Sequence, residues 1–136
     1  MNANQSCSGA ACRRMIMFGI TKAMPEVTPF INFAANHGRT YLSALGTDGV
    51  VYWFCFEDLK GEHNASNAPR FTKEDEKAVV DRFGDDNVTG KWTLRELYES
   101  STITGMTATI EHIYERWHFQ RTLTIGDSSH SVSASC

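Results

Sequence analysis

The sequence lacks paired cysteines, a long apolar run and a strong charge of either sign. The 136 residues include four cysteines, Cys7, Cys12, Cys55 and Cys136. No two of them form a CxxC pair. Reduced thiols are therefore expected, with neither a disulfide framework nor a metal site. No stretch approaches the roughly 20 apolar residues of a membrane helix. No signal peptide is visible either, so we expect a cytoplasmic chain without a membrane segment.

The charge and the length narrow the function classes further. The formal net charge is −3 and no long run of one sign occurs, which argues against a nucleic-acid partner because phosphates require a basic patch. Apolar residues make up 41% of the chain, a normal level for a globular protein. The length suits one domain, and no internal repeat is present.

The clearest local structure is a β-hairpin around Gly46–Gly49. Thr40–Leu45 and Val50–Phe56 are rich in strand-forming residues, and the two glycines of the loop tolerate positive φ. Alternate side chains of Val50–Phe56 point to opposite faces, and both sets are apolar. This strand is therefore predicted to be central in a sheet, packed on both faces or facing an aromatic-lined pocket.

The remaining elements follow from caps and apolar patterns. Thr72 and Thr93 each open a capping pattern and predict two short helices, the first ending at a left-handed Gly84. Strands are predicted at Met15–Ile20, Ile103–Tyr114 and Thr122–Ile125, with a polar loop over 58–69. The predicted fold class is α+β, a mainly antiparallel sheet with two short helices. Residues 1–14 are expected to form a disordered tail ahead of a domain that spans 15–136.

The stretch that follows the last strand, Gly126-Asp127-Ser128, has three possible functions. Ser128 resembles a hydrolase nucleophile, for which His63 or His112 would have to serve as the base. A metal could be bound where His112 and His118 flank a turn, although no ligand spacing supports this. In the third interpretation, Gly126 lets a cofactor approach the backbone and the Asp127 carboxylate accepts a hydrogen bond from a sugar or ribityl hydroxyl.

Six groups of segments between about residues 15 and 130 carry a family resemblance. They are Phe18–Ile20 with Met24-Pro25, Gly38–Tyr41, Gly49–Phe54, Phe71–Asp75, Trp92–Tyr98, and Trp117 with Thr122–His130. Together they resemble fungal FAD-dependent monooxygenases of the aromatic-hydroxylase type, which epoxidise prenyl chains in meroterpenoid and indole-diterpene biosynthesis.

This resemblance implies that Gly126 and Asp127 contact FAD, with Asp127 bonded to a ribityl hydroxyl. It implies a small hydrophobic prenylated substrate beside the sheet of Thr40–Leu45 and Val50–Phe56, and NADPH as the reductant. FAD would supply the oxygen chemistry while the protein positions the substrate and excludes water. The resemblance assigns no catalytic side chain.

Two of the departures of this sequence from the family bear directly on FAD binding. The Gly-x-Gly-x-x-Gly motif that holds the FAD pyrophosphate is absent, and the chain ends six residues after His130. We therefore expect a truncated chain that is inactive alone, with Thr122–Ile125 as a strand of a parallel sheet that lacks its neighbours. The alternative is a non-catalytic remnant or binding module for a hydrophobic ligand or a partner chain.

Overall fold

The computed structural model describes residues 11–24, 31–36 and 38–131. The elements are β1 Ala11–Thr21, β2 Ile31–Asn36, β3 Arg39–Leu45, β4 Val51–Asn64, α1 Lys73–Phe83, α2 Leu94–Glu99, β5 Ser101–Ile113, β6 His118–Phe119, β7 Thr122–Leu123 and β8 His130–Ser131. The main sheet has six strands in the order β2-β3-β4-β1-β5-β8, with antiparallel pairing throughout. A separate pair, β6 and β7, forms a small antiparallel ribbon. The predicted class, α+β with a mainly antiparallel sheet and two short helices, is confirmed.

The predicted hairpin joins β3 to β4, and β4 is an interior strand between β3 and β1. The hairpin loop closes through a 2.7 Å bond from the Gly46 N–H to the Val50 carbonyl. Positive φ occurs at Asp48 (61°) and Gly49 (77°), whereas Gly46 is extended. Aspartate is one of the few residues that tolerate this conformation, so the loop needs only one of its two glycines for φ.

One face of the sheet, here called the packed face, lies against the two helices. Its central side chains are fully buried, and they include Tyr41, Trp53 and Cys55. The helices contribute Val79, Val80, Leu94 and Leu97 to the same core. The Trp53 ring crosses Gly19 on β1 so closely that a Cβ atom there would lie 2.5 Å from the ring.

Both predicted capping boxes are present. Thr72 and Asp75 cap α1 reciprocally, and Thr93 and Glu96 do the same for α2. The prediction of a left-handed Gly84 was wrong, because its φ is −57°. Glycine has a steric role there instead, since a Cβ atom would lie 2.5 Å from the Val80 carbonyl oxygen.

Each of the five predicted strands differs from the observed one in at least one boundary. Three of these differences follow from strand pairing, which is not visible in a local sequence window. β1 begins at Ala11, within the predicted tail, and residues 1–10 lie outside the described part of the chain. β4 continues to Asn64 through the predicted polar loop, since β1 supplies hydrogen-bond partners as far as Ala11↔Asn64. Only Thr122–Leu123 of the predicted Thr122–Ile125 strand is extended in a ladder, and its partner is β6.

The carboxylate of Asp86 ties the loop after α1 to the edge of the sheet. It accepts hydrogen bonds from the Asn36 amide (2.7 Å), the Tyr41 hydroxyl (2.5 Å) and both Nε and Nη2 of Arg39 (3.2 and 3.1 Å). The Arg39 guanidinium also lies 3.6 Å from the centroid of the Phe83 ring. Removal of the carboxylate would leave the Arg39 charge largely desolvated and without this partner.

We therefore predict that Asp86→Ala lowers the free energy of unfolding by about 3 kcal/mol, the cost of breaking a largely buried pair from one side. The neighbouring Asp85→Ala is the control, because that side chain is 99% exposed and should change stability by less than about 0.5 kcal/mol. Urea denaturation measures both. Equal effects of the two substitutions would contradict a stabilising role for the hydrogen bonds of the Asp86 carboxylate.

Alkaline pH should destabilise the fold, because it favours ionisation of side chains that are buried on the packed face. Burial raises the pKa of the Cys55 thiol from 9.0 to about 12, and burial likewise raises the pKa of Tyr41. The neutral thiol makes its full contribution to the free energy of unfolding below pH 9. This contribution is lost as the pH rises towards 12, because the unfolded chain then binds fewer protons than the folded chain. At pH 10 the thiol alone should cost about 1.4 kcal/mol. Urea titrations at pH 8 and 10 should show a smaller loss of stability for Cys55→Ala than for the wild type. Equal losses would refute the raised pKa of the Cys55 thiol as a cause.

Candidate functional site

The face of the sheet opposite the helices, here called the open face, carries three rows of side chains across five strands. The strand register defines each row. The first row is Ala35, Thr40, Phe56, Ile16 and Thr107. The central row is Phe33, Leu42, Phe54, Phe18 and Gly105. The third row is Ile31, Ala44, Tyr52, Ile20 and Ile103.

None of these fifteen positions carries a charge, and all fifteen are at least partly exposed. By contrast, the neighbouring residues on β1, β3 and β4 that point to the packed face are buried. With strand and residue spacings of about 4.8 and 3.4 Å, the open face measures about 20 Å by 14 Å. The largest contiguous apolar patch on a protein surface is often functional.

Aromatic rings occupy the centre of the open face. Phe18 and Phe54 are direct cross-strand partners with ring centroids 6.5 Å apart, and Phe54 and Phe56 are neighbours along β4 at 6.3 Å. Beyond the first row, Arg14 and Asp58 form a 2.9 Å ion pair that ends the apolar surface. The open face can therefore contact a flat or elongated apolar ligand, and it offers no charged group for catalysis.

The predicted site residues Gly126 and Asp127 lie in a 3₁₀ turn, Gly126–Ser128, between β7 and β8. Gly126 has φ 61°, which favours glycine, and apart from its two chain neighbours no residue has an atom within 4 Å of the position that a Cβ atom would take. The Asp127 side chain is exposed. Backbone and carboxylate are thus both accessible, which fits a ligand approaching this turn.

The turn is held in place from its C-terminal side. Ser129 is fully buried, its N–H bonds to the Gly126 carbonyl at 2.8 Å, and its own carbonyl accepts the Tyr114 N–H at 3.0 Å. His130 stacks on Trp117 with ring centroids 5.3 Å apart. β8 joins the turn to the end of β5, where His130 pairs with Ile113. The turn and the open face therefore share β5 as a common support.

The hydrolase and metal interpretations receive no geometric support. The Ser128 hydroxyl donates to the Ile125 carbonyl at 2.6 Å, and His130 stacks on an indole. His63 bonds to the Lys60 carbonyl, and His112 lies against the Tyr114 ring. Within residues 11–24, 31–36 and 38–131, no group of three or more His, Cys, Asp or Glu side chains could hold a metal ion.

The family resemblance predicted a substrate side formed by β3 and β4, which stays a prediction. The open face also includes residues of β2 and β5, which the sequence analysis did not place there. Phe33 and Ile31 on β2 are 70% and 77% exposed, and Ile103 on β5 is 56% exposed. The alternation of apolar residues in Ile31-Asn-Phe-Ala-Ala-Asn36 is the local signal that could have indicated the β2 share.

Comparisons with known proteins agree with the fold and the resemblance. No protein-family model matches the chain. The FAD-dependent monooxygenase spyC of Aspergillus fumigatus is 33% identical over 127 residues, covering 93% of this chain and 27% of the relative. FAD-dependent monooxygenase olcE of Penicillium canescens is 30% identical over 132 residues, covering 96% and 28%. FAD-dependent monooxygenase paxM of Penicillium paxilli is 29% identical over 119 residues, covering 86% and 25%.

Among solved structures, the Diels-Alderase PyrE3 of pyrroindomycin biosynthesis matches with a TM-score of 0.52, covering 93% of this chain and 26% of that one. At 16% identity this likeness shows the fold alone. The chain is a homologue of the fungal FAD-dependent monooxygenases and spans about a quarter of the length of the relatives it matches. Across the described residues, no helix combines the length and apolar character needed to cross a membrane.

The exposed side chains of the open face should contribute little to the free energy of folding. We predict that Phe33→Ser changes the free energy of unfolding by less than about 1 kcal/mol, because this ring is already in water. Leu97→Ala in the packed core should cost about 2–5 kcal/mol. Urea denaturation of the two variants gives the comparison, and a loss for Phe33→Ser as large as that for Leu97→Ala would show that the open face is covered.

Proposed function

We propose that this chain forms the substrate wall of an FAD-dependent monooxygenase of fungal secondary metabolism. The open face would contact the substrate, and Gly126 and Asp127 would contact FAD. The proposal rests on the open face, which is an uncharged apolar surface of the sheet. The relatives of the chain are named FAD-dependent monooxygenases. FAD, when bound, would supply the activation of oxygen.

The residues of the Gly-Asp turn fit a cofactor contact. The free space around Gly126 would admit the cofactor to the backbone, and the exposed Asp127 carboxylate is an acceptor suited to a ribityl hydroxyl. Such a turn contributes one or two hydrogen bonds. A bond to the backbone is worth about 0.5–1.5 kcal/mol net, and one to the charged carboxylate about 1.5–3 kcal/mol. Tight FAD binding therefore needs further contacts, such as a pyrophosphate-binding motif.

The open face also favours a substrate class. A surface without charges gains free energy by burying hydrocarbon, at roughly 25 cal/mol per Å². A prenylated substrate, oxidised at a double bond with NADPH as reductant, suits this surface and the family resemblance. The chain's role would be to hold the prenyl chain and keep water from it.

A binding module without redox chemistry is the second candidate, because the open face belongs entirely to this chain. The fold neighbour is itself named as a Diels-Alderase, so a protein with this fold need not catalyse an oxidation. Binding of a prenyl alcohol by this chain, without any effect of FAD or NADPH, would favour the second candidate.

The flavin contact is testable in a chimera in which residues 15–131 replace the matching segment of the Aspergillus fumigatus relative. We predict that the chimera retains FAD and that Asp127→Ala weakens FAD binding by about tenfold or more, the value of one charge-assisted hydrogen bond. Flavin fluorescence titration measures the dissociation constant, and circular dichroism checks folding. Asp85→Ala is the control for loss of an exposed carboxylate. Equal affinities of both variants would reject the assignment of Asp127.

A further inference from the structure

The Phe18 ring covers Gly105 in the open face. Phe18 on β1 and Gly105 on β5 are register partners in the central row. A Cβ atom at Gly105 would lie 2.6 Å from Cζ of the ring and within 3.2 Å of both Cε atoms. No φ in the left-handed region requires glycine here, in contrast to Gly126. Glycine is therefore required at position 105 because a side chain there would clash with the Phe18 ring.

The position of the Phe18 ring affects the depth of the open face. The ring lies over the β5 backbone, tilted 38° to Phe54, with 6.5 Å between centroids. Opposed Cβ atoms in a ladder are about 4.5–5.5 Å apart, so the two rings spread away from each other. Any side chain at position 105 would displace the Phe18 ring towards Phe54 or away from the sheet. Either shift would fill the centre of the apolar surface.

We propose that Gly105 is a specificity-determining residue: it keeps the Phe18 ring flat over β5, so that the centre of the open face accepts rigid, flat polycyclic ligands as well as flexible prenyl chains. This inference rests on the proposed function, since it assumes that the open face contacts the substrate. A flexible chain can follow a different path across the rows when the ring moves. A rigid polycycle cannot, so it bears the cost of overpacking.

The test measures binding of two probes, pyrene as the rigid polycycle and farnesol as the flexible prenyl chain, to the purified full chain. Gly105→Ala should weaken pyrene binding about tenfold, which corresponds to a modest overpacking cost, and should change farnesol binding less than about twofold. Pyrene fluorescence reports its own binding, and displacement of pyrene reports farnesol. Circular dichroism and thermal melting confirm that each variant is folded.

Gly46→Ala is the matched control. A Cβ atom at Gly46 would also lie 2.6 Å from an aromatic ring, that of Tyr52, but in the third row instead of the central one. It should leave pyrene binding within about twofold of the wild type. If Gly46→Ala and Gly105→Ala weaken pyrene binding equally, position 105 has no special role and the inference is overturned.

Two further variants separate the ring from the strand. In a Phe18→Leu background, Gly105→Ala should no longer weaken pyrene binding, because the displaced ring is absent. A persisting tenfold loss would overturn the inference. Phe18→Trp enlarges the ring while leaving Gly105 in place, so it should reproduce the selective loss of pyrene even if Gly105→Ala does not fold. Wild-type affinity of Phe18→Trp for pyrene would also overturn the inference.

Failure of the proposed function has a different signature. Leu42→Glu places a charge in the central row and should abolish binding of both probes to a folded chain. Undiminished binding by Leu42→Glu, or no binding by the wild type, would show that the open face is not the ligand surface. Loss of both probes in Leu42→Glu combined with unselective effects of Gly105→Ala would reject only the role of Gly105.

Discussion

The two-residue period of β4, fixed by ladders on both of its edges, is the constraint on which the rest of the structure depends. Because β3 and β1 satisfy its backbone, each side chain must point to one face or the other. Val51, Trp53 and Cys55 point to the helices and are fully buried. Tyr52 and Phe54 point away from the helices. The strand register places uncharged residues of the neighbouring strands beside them, so the open face extends across five strands.

The features that a short window of sequence determines were predicted well. Both helices begin at the predicted capping threonines, Thr72 and Thr93, because the reciprocal bonds of a capping box span only four residues. The β3–β4 hairpin follows from its loop chemistry in the same way. The left-handed conformation predicted at Gly84 was wrong, because the need for glycine comes from the approach of Val80 and Arg95, which a φ-based argument does not consider.

Features that depend on distant pairing could not be predicted. The polar continuation of β4 to Asn64 becomes a strand only because residues of β1 lie opposite it. The sequence showed that the side chains on both faces of β4 are apolar. Which face is buried depends on the packing of α1 and α2, which a local window does not show. The resemblance to fungal FAD-dependent monooxygenases is supported by relatives at 30–33% identity, whereas the assignment of Gly126 and Asp127 to FAD stays a prediction. Their turn is nonetheless accessible, as a cofactor contact requires.

The absence of charge from the open face has a thermodynamic consequence. Binding there should release ordered water without displacing counterions, so the affinity for an apolar ligand should hardly change with ionic strength. Burial of hydrocarbon on this surface should give a negative change in heat capacity, so the binding enthalpy becomes more favourable as temperature rises. A calorimetric series over temperature and salt would thus distinguish a ligand on the fifteen-residue surface from one held at the Arg14–Asp58 ion pair, whose contribution salt would screen.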